Sequence, residues 1–344
     1  MKKQSKLLAL LLACAMTLAL SACGGNSATT STPAGSAAPA ASGSAAATGD
    51  TTYTIGICQL DQHNPLDTAT KGFKDALTEK LGDKVKFVEQ NAAGDSANCA
   101  TICNQFVSSK VDLIMANATP ALQAATAATN SIPILGTSVT DYGTALSIAD
   151  WKGTTGTNVT GTADLAPLDK QAEMIKTLFP DKKNVGILYC SAEPNSKYQS
   201  TEITKYLTDA GYTCKEYTFA DSNDVAAVTK TACDESDVLY VPTDNTAASC
   251  AESINNIAEP AKVPIVAGES GICTGCGVAT LSIDYYDLGV VTGNMAYEVL
   301  VNGADPATTE IQFAPKTTYQ DMADRCEKVG VKVPSDYVAI EAEK

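Results

Sequence analysis

The chain has 344 residues, 44% of them hydrophobic, with 24 Lys and Arg, 39 Asp and Glu, and a single His. This length predicts about two domains, and the hydrophobic content excludes a wholly disordered chain. The net charge of −15 argues against nucleic acid or an anionic lipid surface as a partner. One His excludes a His-rich metal site, and we expect neither a metal nor a cofactor.

Residues 1–22 have the form of a secretory signal peptide. Three lysines precede the apolar run Leu7–Leu20, which is shorter than the roughly 20 residues of a membrane-spanning helix. The run ends in Leu-Ser-Ala-Cys, which resembles a bacterial lipobox with Cys23 as the lipidated residue; a plain signal peptide is the alternative. Residues 23–50 are rich in Gly, Ser, Ala, Thr and Pro and predict a flexible linker. We therefore expect a lipid-anchored protein on the extracytoplasmic face of the cell membrane.

From Tyr53 onward, short apolar runs typical of buried strands alternate with amphipathic helix patterns. The first array predicts strands at Tyr53–Gln59, Val85–Glu89, Val111–Ala116 and Ile132–Leu135, and helices at Asp67–Leu81, after Asp95 and at Pro120–Asn130. The second array predicts strands at Asn184–Tyr189, Thr213–Phe219, Asp237–Val241, Pro264–Ala267 and Val278–Ile283, and helices at Pro167–Leu178, Ser196–Ala210, Val225–Cys233, Ala247–Glu259 and Leu288–Leu300. Two such arrays predict an α/β fold with two lobes of open parallel sheet, flanked by helices and joined by a hinge.

The irregular stretch Thr137–Gly161 is the predicted crossover between the lobes. The late segment Glu310–Pro315 and the helix Tyr319–Val329 are expected to return to the first lobe. The predicted N-terminal lobe is therefore 51–160 plus 314–344, and the predicted C-terminal lobe is 161–313.

Ligands of open parallel sheets bind beyond the carboxyl ends of the strands. The loops at these ends are rich in Asn, Thr, Ser, Asp and Glu and nearly free of Lys and Arg. Such a lining suits a ligand that carries an ammonium group, or a neutral polyol.

Several of these loops belong to a longer series of motifs: IGICQLDQHNPLDTATKGFKDAL (Ile55–Leu77), QNAAGD (Gln90–Asp95), ATPALQAA (Ala118–Ala125), PILGTSVTD (Pro133–Asp141), NVTGTAD (Asn158–Asp164), VGILYCSAEPNS (Val185–Ser196), VLYVPTDNT (Val238–Thr246) and ATLSIDYYDLG (Ala279–Gly289). In this order the series resembles the ABC-transporter substrate-binding lipoproteins of the tryptophan/tyrosine-uptake type. The resemblance implies the type I periplasmic-binding-protein fold. It also implies a monomeric carrier, not an enzyme, that delivers an aromatic amino acid such as tyrosine, tryptophan or phenylalanine to an ABC permease.

The chain departs from the usual pattern of that family at several points of the cleft. Gln62 and Asn64 flank the single His where the family has Glu and Pro, and Tyr142 replaces a proline. The segment Ala267–Gly277 is also unlike its counterpart. The ligand could therefore differ from tryptophan.

The candidate ligand-binding residues lie in these loops: His63, Asn91, Thr119, Thr140, Asp141, Tyr189, Glu193, Asn195, Ser196, Asp244, Asn245 and Glu269. The carboxylates are candidates for the ammonium of the ligand, with Asp244 also suited to N-cap the helix that follows. The two threonines, with the free amides at a helix start, are candidates for its carboxylate. Tyr142, Trp151 and Tyr189 could stack on an aromatic ligand.

The CxxC pair Cys273 and Cys276 is expected to form a local disulfide or to stay as free thiols, rather than to act in redox catalysis or metal binding. Three other functions remain open: a ligand-sensing lipoprotein, an adhesive surface lipoprotein and a thiol oxidoreductase.

Overall fold

A computed structural model describes residues 51–341, and the predicted signal peptide, Cys23 and the linker lie outside this range. The first array forms nine elements: β1 (Tyr53–Gln59), α1 (Asn64–Leu81), β2 (Val85–Asn91), α2 (Ser96–Ser109), β3 (Leu113–Asn117), α3 (Thr119–Ala128), β4 (Ile134–Val139), α4 (Tyr142–Ala145) and β5 (Val159–Ala163). A short 3₁₀ turn, Gly82–Lys84, follows α1. Asp95 caps α2 as predicted, since its side chain accepts a hydrogen bond from the Ala97 amide.

The second array forms eleven elements: α5 (Leu168–Leu178), β6 (Asn184–Cys190), α6 (Pro194–Asp209), β7 (Thr213–Phe219), α7 (Val225–Glu235), β8 (Val238–Val241), α8 (Asn245–Ser249), α9 (Ala251–Ala261), β9 (Ile265–Ala267), α10 (Ser270–Gly275) and β10 (Ala279–Ile283). The last part of the chain forms α11 (Tyr285–Asn302), β11 (Gln312–Phe313), β12 (Thr317–Asp321), α12 (Ala323–Val329) and β13 (Val338–Ala339).

These elements build two sheets, which confirms the predicted α/β architecture. The sheet of lobe 1 has the order β11-β5-β4-β3-β1-β2 and is parallel throughout. The sheet of lobe 2 has the order β13-β12-β10-β9-β8-β6-β7, and its edge pair β12 and β13, parallel to each other, runs antiparallel to the other five strands. Both sheets have apolar side chains packed on their two faces, as expected for strands covered by helices on both sides.

The predicted boundaries of the lobes are wrong in three places. Residues 285–313 belong to lobe 1, because α11 packs its apolar face on α1 and β11 pairs with β5. Residues 317–341 belong to lobe 2, because β12 pairs with β10 and β13 with β12. Residues 161–163 also belong to lobe 1, because the segment predicted as the first crossover, Thr137–Gly161, runs into β5, which pairs with β4, and the chain leaves lobe 1 only after Ala163. The lobes are thus joined by three short connections, at 164–167, at 284 and at 314–316.

The helices α1 and α11 pack closely because small residues line their contact. A Cβ atom on Gly289 would lie 2.9 Å from the backbone nitrogen of Phe73, and one on Gly72 would lie 3.0 Å from that of Val290. Ala69 continues the same stripe and is fully buried. No larger residue fits this contact unless the two backbones move apart.

We therefore expect Gly289→Ala to destabilise the protein by about 2 kcal/mol, although alanine is the better helix former. Urea denaturation of residues 51–344 would measure the change. Asn294→Ala is the matched control, because Asn294 lies on the exposed face of the same helix. Equal stability of the Gly289→Ala variant and the wild type would contradict the close packing.

Candidate ligand-binding site

The strand ends of the two lobes face each other across a cleft. At its inner end, near the connections, lies a cavity of about 10 Å³ lined by ten residues: His63, Pro65, Leu66, Asp164, Thr243, Asp244, Asn245, Ala248, Glu269 and Tyr285. Four of the predicted site residues are in this set. Three of the ten are carboxylates, and none is Lys or Arg.

The cleft widens outward into a second cavity of about 320 Å³ between the same two lobes. Leu60, Asp61 and Pro120 line it from lobe 1, and Cys190, Glu193 and Asn245, among others, line it from lobe 2. The inner cavity holds about one water molecule, so a larger ligand needs the lobes to move apart at that end.

The loop between β1 and α1 carries His63 across to lobe 2. Buried Gln59 holds the loop, because its Nε2 donates to the Asp61 carbonyl at 2.8 Å and to Asp67 Oδ1 at 2.6 Å. Two contacts then bridge the lobes. His63 Nε2 lies 3.3 Å from Asn245 Oδ1, and the Ser249 hydroxyl donates to Asp61 Oδ2 at 2.6 Å.

Glu193 accepts hydrogen bonds from the first two residues of α8 and is itself buried. One carboxylate oxygen accepts from the Asn245 backbone at 2.9 Å, the Asn245 side chain at 2.8 Å and the Asn195 side chain at 3.1 Å. The other accepts from the Thr246 amide and hydroxyl, both at 2.8 Å. Because Glu193 already accepts five hydrogen bonds, it holds Asn245 in position and can accept few further hydrogen bonds from a ligand.

Asp244 and Glu269 are the N-caps of two short helices at the cavity wall. Asp244 accepts from the Ala247 amide, the Cys190 amide and the Ser196 hydroxyl, each at 2.7 Å. Glu269 accepts from the Ile272 amide at 2.5 Å and from the Gly271 amide. Capping therefore accounts for most of the hydrogen-bonding capacity of both.

Asp164, which we did not predict as a site residue, is the carboxylate that can still accept a hydrogen bond from a ligand. It follows β5 at the first connection between the lobes, and only 3% of its surface is exposed. Its Oδ2 accepts from the Tyr285 hydroxyl at 3.1 Å, whereas its Oδ1 is buried without a hydrogen-bond partner among residues 51–341. Asp164 ends the motif NVTGTAD and Tyr285 lies in the motif SIDYYDLG, so the strand-end rule could have found both.

Burial raises the pKa of these carboxyl groups, because no cation accompanies them into the protein. The pKa of Asp164 rises from 3.8 to about 6, opposed by the nearby hydroxyls of Thr140 and Tyr285. The pKa of Glu269 rises to about 7, opposed by the amides that it caps. Burial and the charge of Glu193 also raise the pKa of Asp244. A cationic group in the cavity would favour the ionised forms of all three.

Burial has the opposite effect on the single histidine. It lowers the pKa of His63 below 6.5, although Asn245 and the charges of Asp61, Glu193 and Asp67 oppose the shift. The neutral imidazole is therefore favoured at this position.

The structure places the other predicted residues outside the inner cavity. Asn91 is exposed, and its side chain accepts from the Ala93 amide at 2.6 Å. Asp141 caps α4. Tyr189 packs in the core of lobe 2. Thr119 is buried at the start of α3.

The two remaining aromatic candidates contact each other. Tyr142 and Trp151 stack with ring centroids 6.2 Å apart. Tyr142 is buried, and its hydroxyl donates to the Thr162 carbonyl. Since the two rings stack on each other, neither presents a free face to a ligand in the cleft.

All ten cysteines of the described range are free thiols. Burial raises the pKa of Cys276 to about 12, and that of Cys273 also rises well above 9. Such thiols carry almost no thiolate, the form that redox catalysis requires. Arg325, the one arginine, donates to four carbonyls around the end of α10 and takes no part in the cleft.

No helix within residues 51–341 combines the length and hydrophobicity that a membrane crossing requires. Two α/β lobes with three short connections and a polar cleft define a hinged solute-binding protein. The family model described as ABC transporter substrate binding protein matches residues 54–343, and the chain belongs to this family.

Two similar proteins are described with an aromatic amino acid. A tyrosine-binding protein of Clostridioides difficile (strain R20291) is 40% identical over 261 residues, which cover 74% of this chain and 75% of the relative. The structure of a Streptococcus pneumonia ABC domain in complex with L-Trp is 32% identical, with a TM-score of 0.80 over 84% of this chain and all of the other.

A third relative is described as ligand-free and open. It is the ligand-free, open structure of a substrate-binding protein with adhesive properties from Clostridium difficile. At 34% identity its TM-score is 0.66, over 85% of this chain and all of the other. At similar identity, the TM-score is therefore lower against this open, ligand-free structure than against the L-Trp complex.

The raised pKa of Asp164 predicts a pH-dependent cost to stability. The folded protein binds a proton here that the unfolded chain has released, so this cost appears as the pH rises from 4 to 7. Asp164→Asn cannot ionise. We therefore expect the unfolding free energy of Asp164→Asn, relative to that of the wild type, to rise by ~2–3 kcal/mol as the pH rises from 4 to 7.

Urea denaturation of ligand-stripped protein at several pH values measures this difference. Asp181→Asn, at an exposed position, is the control and should show a constant difference. A constant difference for Asp164→Asn as well would contradict the assigned burial.

Proposed function

We propose that the protein binds an aromatic amino acid between its lobes and delivers it to the permease of an ABC importer. The observation that carries the proposal is the unpaired, buried Oδ1 of Asp164 at the inner cavity. An α-ammonium group is a small cation with three donors, and a buried carboxylate is its natural partner. The tyrosine and L-Trp named for the two relatives support the same class of ligand.

The apolar part of the cavity wall suits an aromatic side chain. Pro65 and Leu66 from lobe 1 and Ala248 from lobe 2 contribute apolar surface, and Tyr285 adds a buried ring. Aromatic pairs with ring centroids 4.5–7 Å apart contribute about 0.5–1.5 kcal/mol beyond the area that they bury. Once the lobes have moved apart to admit a ligand, the residues around this cavity therefore offer an acid for the ammonium and an apolar wall for the ring.

Ligand binding would stabilise the closed arrangement. The two contacts described between the lobes, His63 to Asn245 and Asp61 to Ser249, are single polar contacts of modest net strength. A ligand that touches both lobes adds free energy to the closed form alone and shifts the population toward it. The closed form would then dock on the permease.

Titration calorimetry of refolded residues 51–344 against the twenty amino acids tests the ligand class. We expect tyrosine, tryptophan or phenylalanine to bind, and binding to weaken about 100-fold in Asp164→Asn because the ammonium loses a charged acceptor. Asp181→Asn should bind as the wild type does. Failure of every aromatic amino acid to bind the wild type would refute the proposal.

We also propose that the chain acts as a monomeric lipoprotein on the extracytoplasmic face, anchored through Cys23. The lipobox and the linker of residues 23–50 support the anchor. Cys23→Ala should move the protein from the membrane fraction to the soluble fraction of a bacterial host, since no acyl chain can then be attached. Ser21→Ala is the control and should stay with the membrane. Membrane retention of Cys23→Ala would exclude the anchor.

Adhesion is a second candidate function, favoured by the Clostridium difficile relative described as having adhesive properties. It would use the outer surface of the lobes rather than the cleft. Adhesion that persists in the Asp164→Asn variant, with uptake lost, would assign the two roles to different surfaces.

A further inference from the structure

We propose that His63 accepts a hydrogen bond from the aromatic side chain of the ligand, and so selects tyrosine and tryptophan over phenylalanine. This inference rests on the proposed function, and it identifies the residue that discriminates among the three aromatic amino acids. It follows from a chain of three hydrogen-bonded side chains, Glu193, Asn245 and His63, that fixes which nitrogen of the imidazole carries the proton.

The chain begins at Glu193, which is fixed by its five donors. The Asn245 side-chain nitrogen donates to Glu193 at 2.8 Å, and the Asn245 backbone nitrogen donates to the same oxygen at 2.9 Å. The reverse orientation of the amide would place its oxygen against a carboxylate, where no hydrogen bond can form. Asn245 Oδ1 must therefore point away from Glu193, toward His63.

The amide oxygen determines the tautomer of the imidazole. His63 Nε2 lies 3.3 Å from Asn245 Oδ1, and an oxygen that only accepts requires a donor opposite it. The proton of the neutral imidazole therefore sits on Nε2, and Nδ1 carries a lone pair.

That lone pair has no partner within residues 51–341. His63 Nδ1 is buried and makes no hydrogen bond there. His63 occupies the N-cap position of α1, yet its side chain caps no amide of that helix. A buried acceptor without a partner is costly, and His63 lines the cavity proposed to receive the ligand.

The ligand can supply the missing donor from its side chain. The phenolic hydroxyl of tyrosine and the indole N–H of tryptophan are donors, whereas the benzyl side chain of phenylalanine has none. The α-ammonium is already assigned to Asp164, which has the charge to hold it. A site built to pair with a donor rejects the analogue that lacks it, because its own polar group then stays buried and unpaired.

Two substitutions of His63 separate the two nitrogens. In His63→Gln the side-chain amide can reach the place of Nε2 and keep the contact with Asn245, while the acceptor at Nδ1 is lost. In His63→Asn the shorter amide places an acceptor near Nδ1, while the contact with Asn245 is lost. The two variants therefore distinguish a role of His63 in recognising the ligand from a role in stabilising lobe closure through its contact with Asn245.

The experiment is calorimetric titration of the wild type and both variants with tyrosine, phenylalanine and O-methyltyrosine, which has no hydroxyl proton. We expect the wild type to prefer tyrosine over both analogues by about 10- to 100-fold. We expect the preference to fall to near unity in His63→Gln and to survive in His63→Asn, even if all affinities drop there.

Two results would overturn the inference: a wild-type ratio near unity, and an unchanged ratio in His63→Gln. If the unchanged ratio came with an equal loss of affinity for all three ligands, it would place the ammonium, not the side chain, at His63. Each of these results leaves aromatic amino acid binding in place. Absence of binding by all three ligands to the wild type would refute the proposed function and this inference together.

Discussion

The cleft depends on burying carboxylates between two lobes without a lysine or arginine beside them. Four of them, Asp164, Glu193, Asp244 and Glu269, are at least 95% buried, and an uncompensated charge in such a place is expensive. Three are compensated by helix-start amides, hydroxyls and side-chain amides. Asp164 alone keeps a free oxygen among the described residues. The stability lost by leaving it unpaired is the free energy that a cationic ligand can recover on binding.

The local fold could be predicted from the sequence because it depends on neighbouring residues. The strands Tyr53–Gln59 and Thr213–Phe219 have the predicted bounds, and Asp95 caps its helix. The assignment of α11 to lobe 1 could not be predicted from periodicity, because an amphipathic face does not indicate which sheet will cover it. The signal was the spacing of Gly289 and Gly293, which matches the small residues of α1.

The site could be predicted only in part, because it too depends on contacts between residues far apart in the chain. Strand-end loops identified His63, Asp244, Asn245 and Glu269 as residues of the cavity. The same rule could not separate a carboxylate that caps a helix from one that is free for a ligand, because both are acids in the loop after a strand. That distinction depends on hydrogen bonds between residues far apart in the chain, such as Cys190 to Asp244.

The three connections between the lobes also constrain the order in which the protein can fold. One face of the first sheet is covered in part by Met295, Ala296 and Val299 of α11, which are synthesised after nearly all of lobe 2. Lobe 1 cannot complete its core while the chain emerges, however stable its own strands are. A nascent chain that must pass through a translocation channel unfolded would gain from this delay, since its first lobe stays incomplete until the last fifth of the sequence is made.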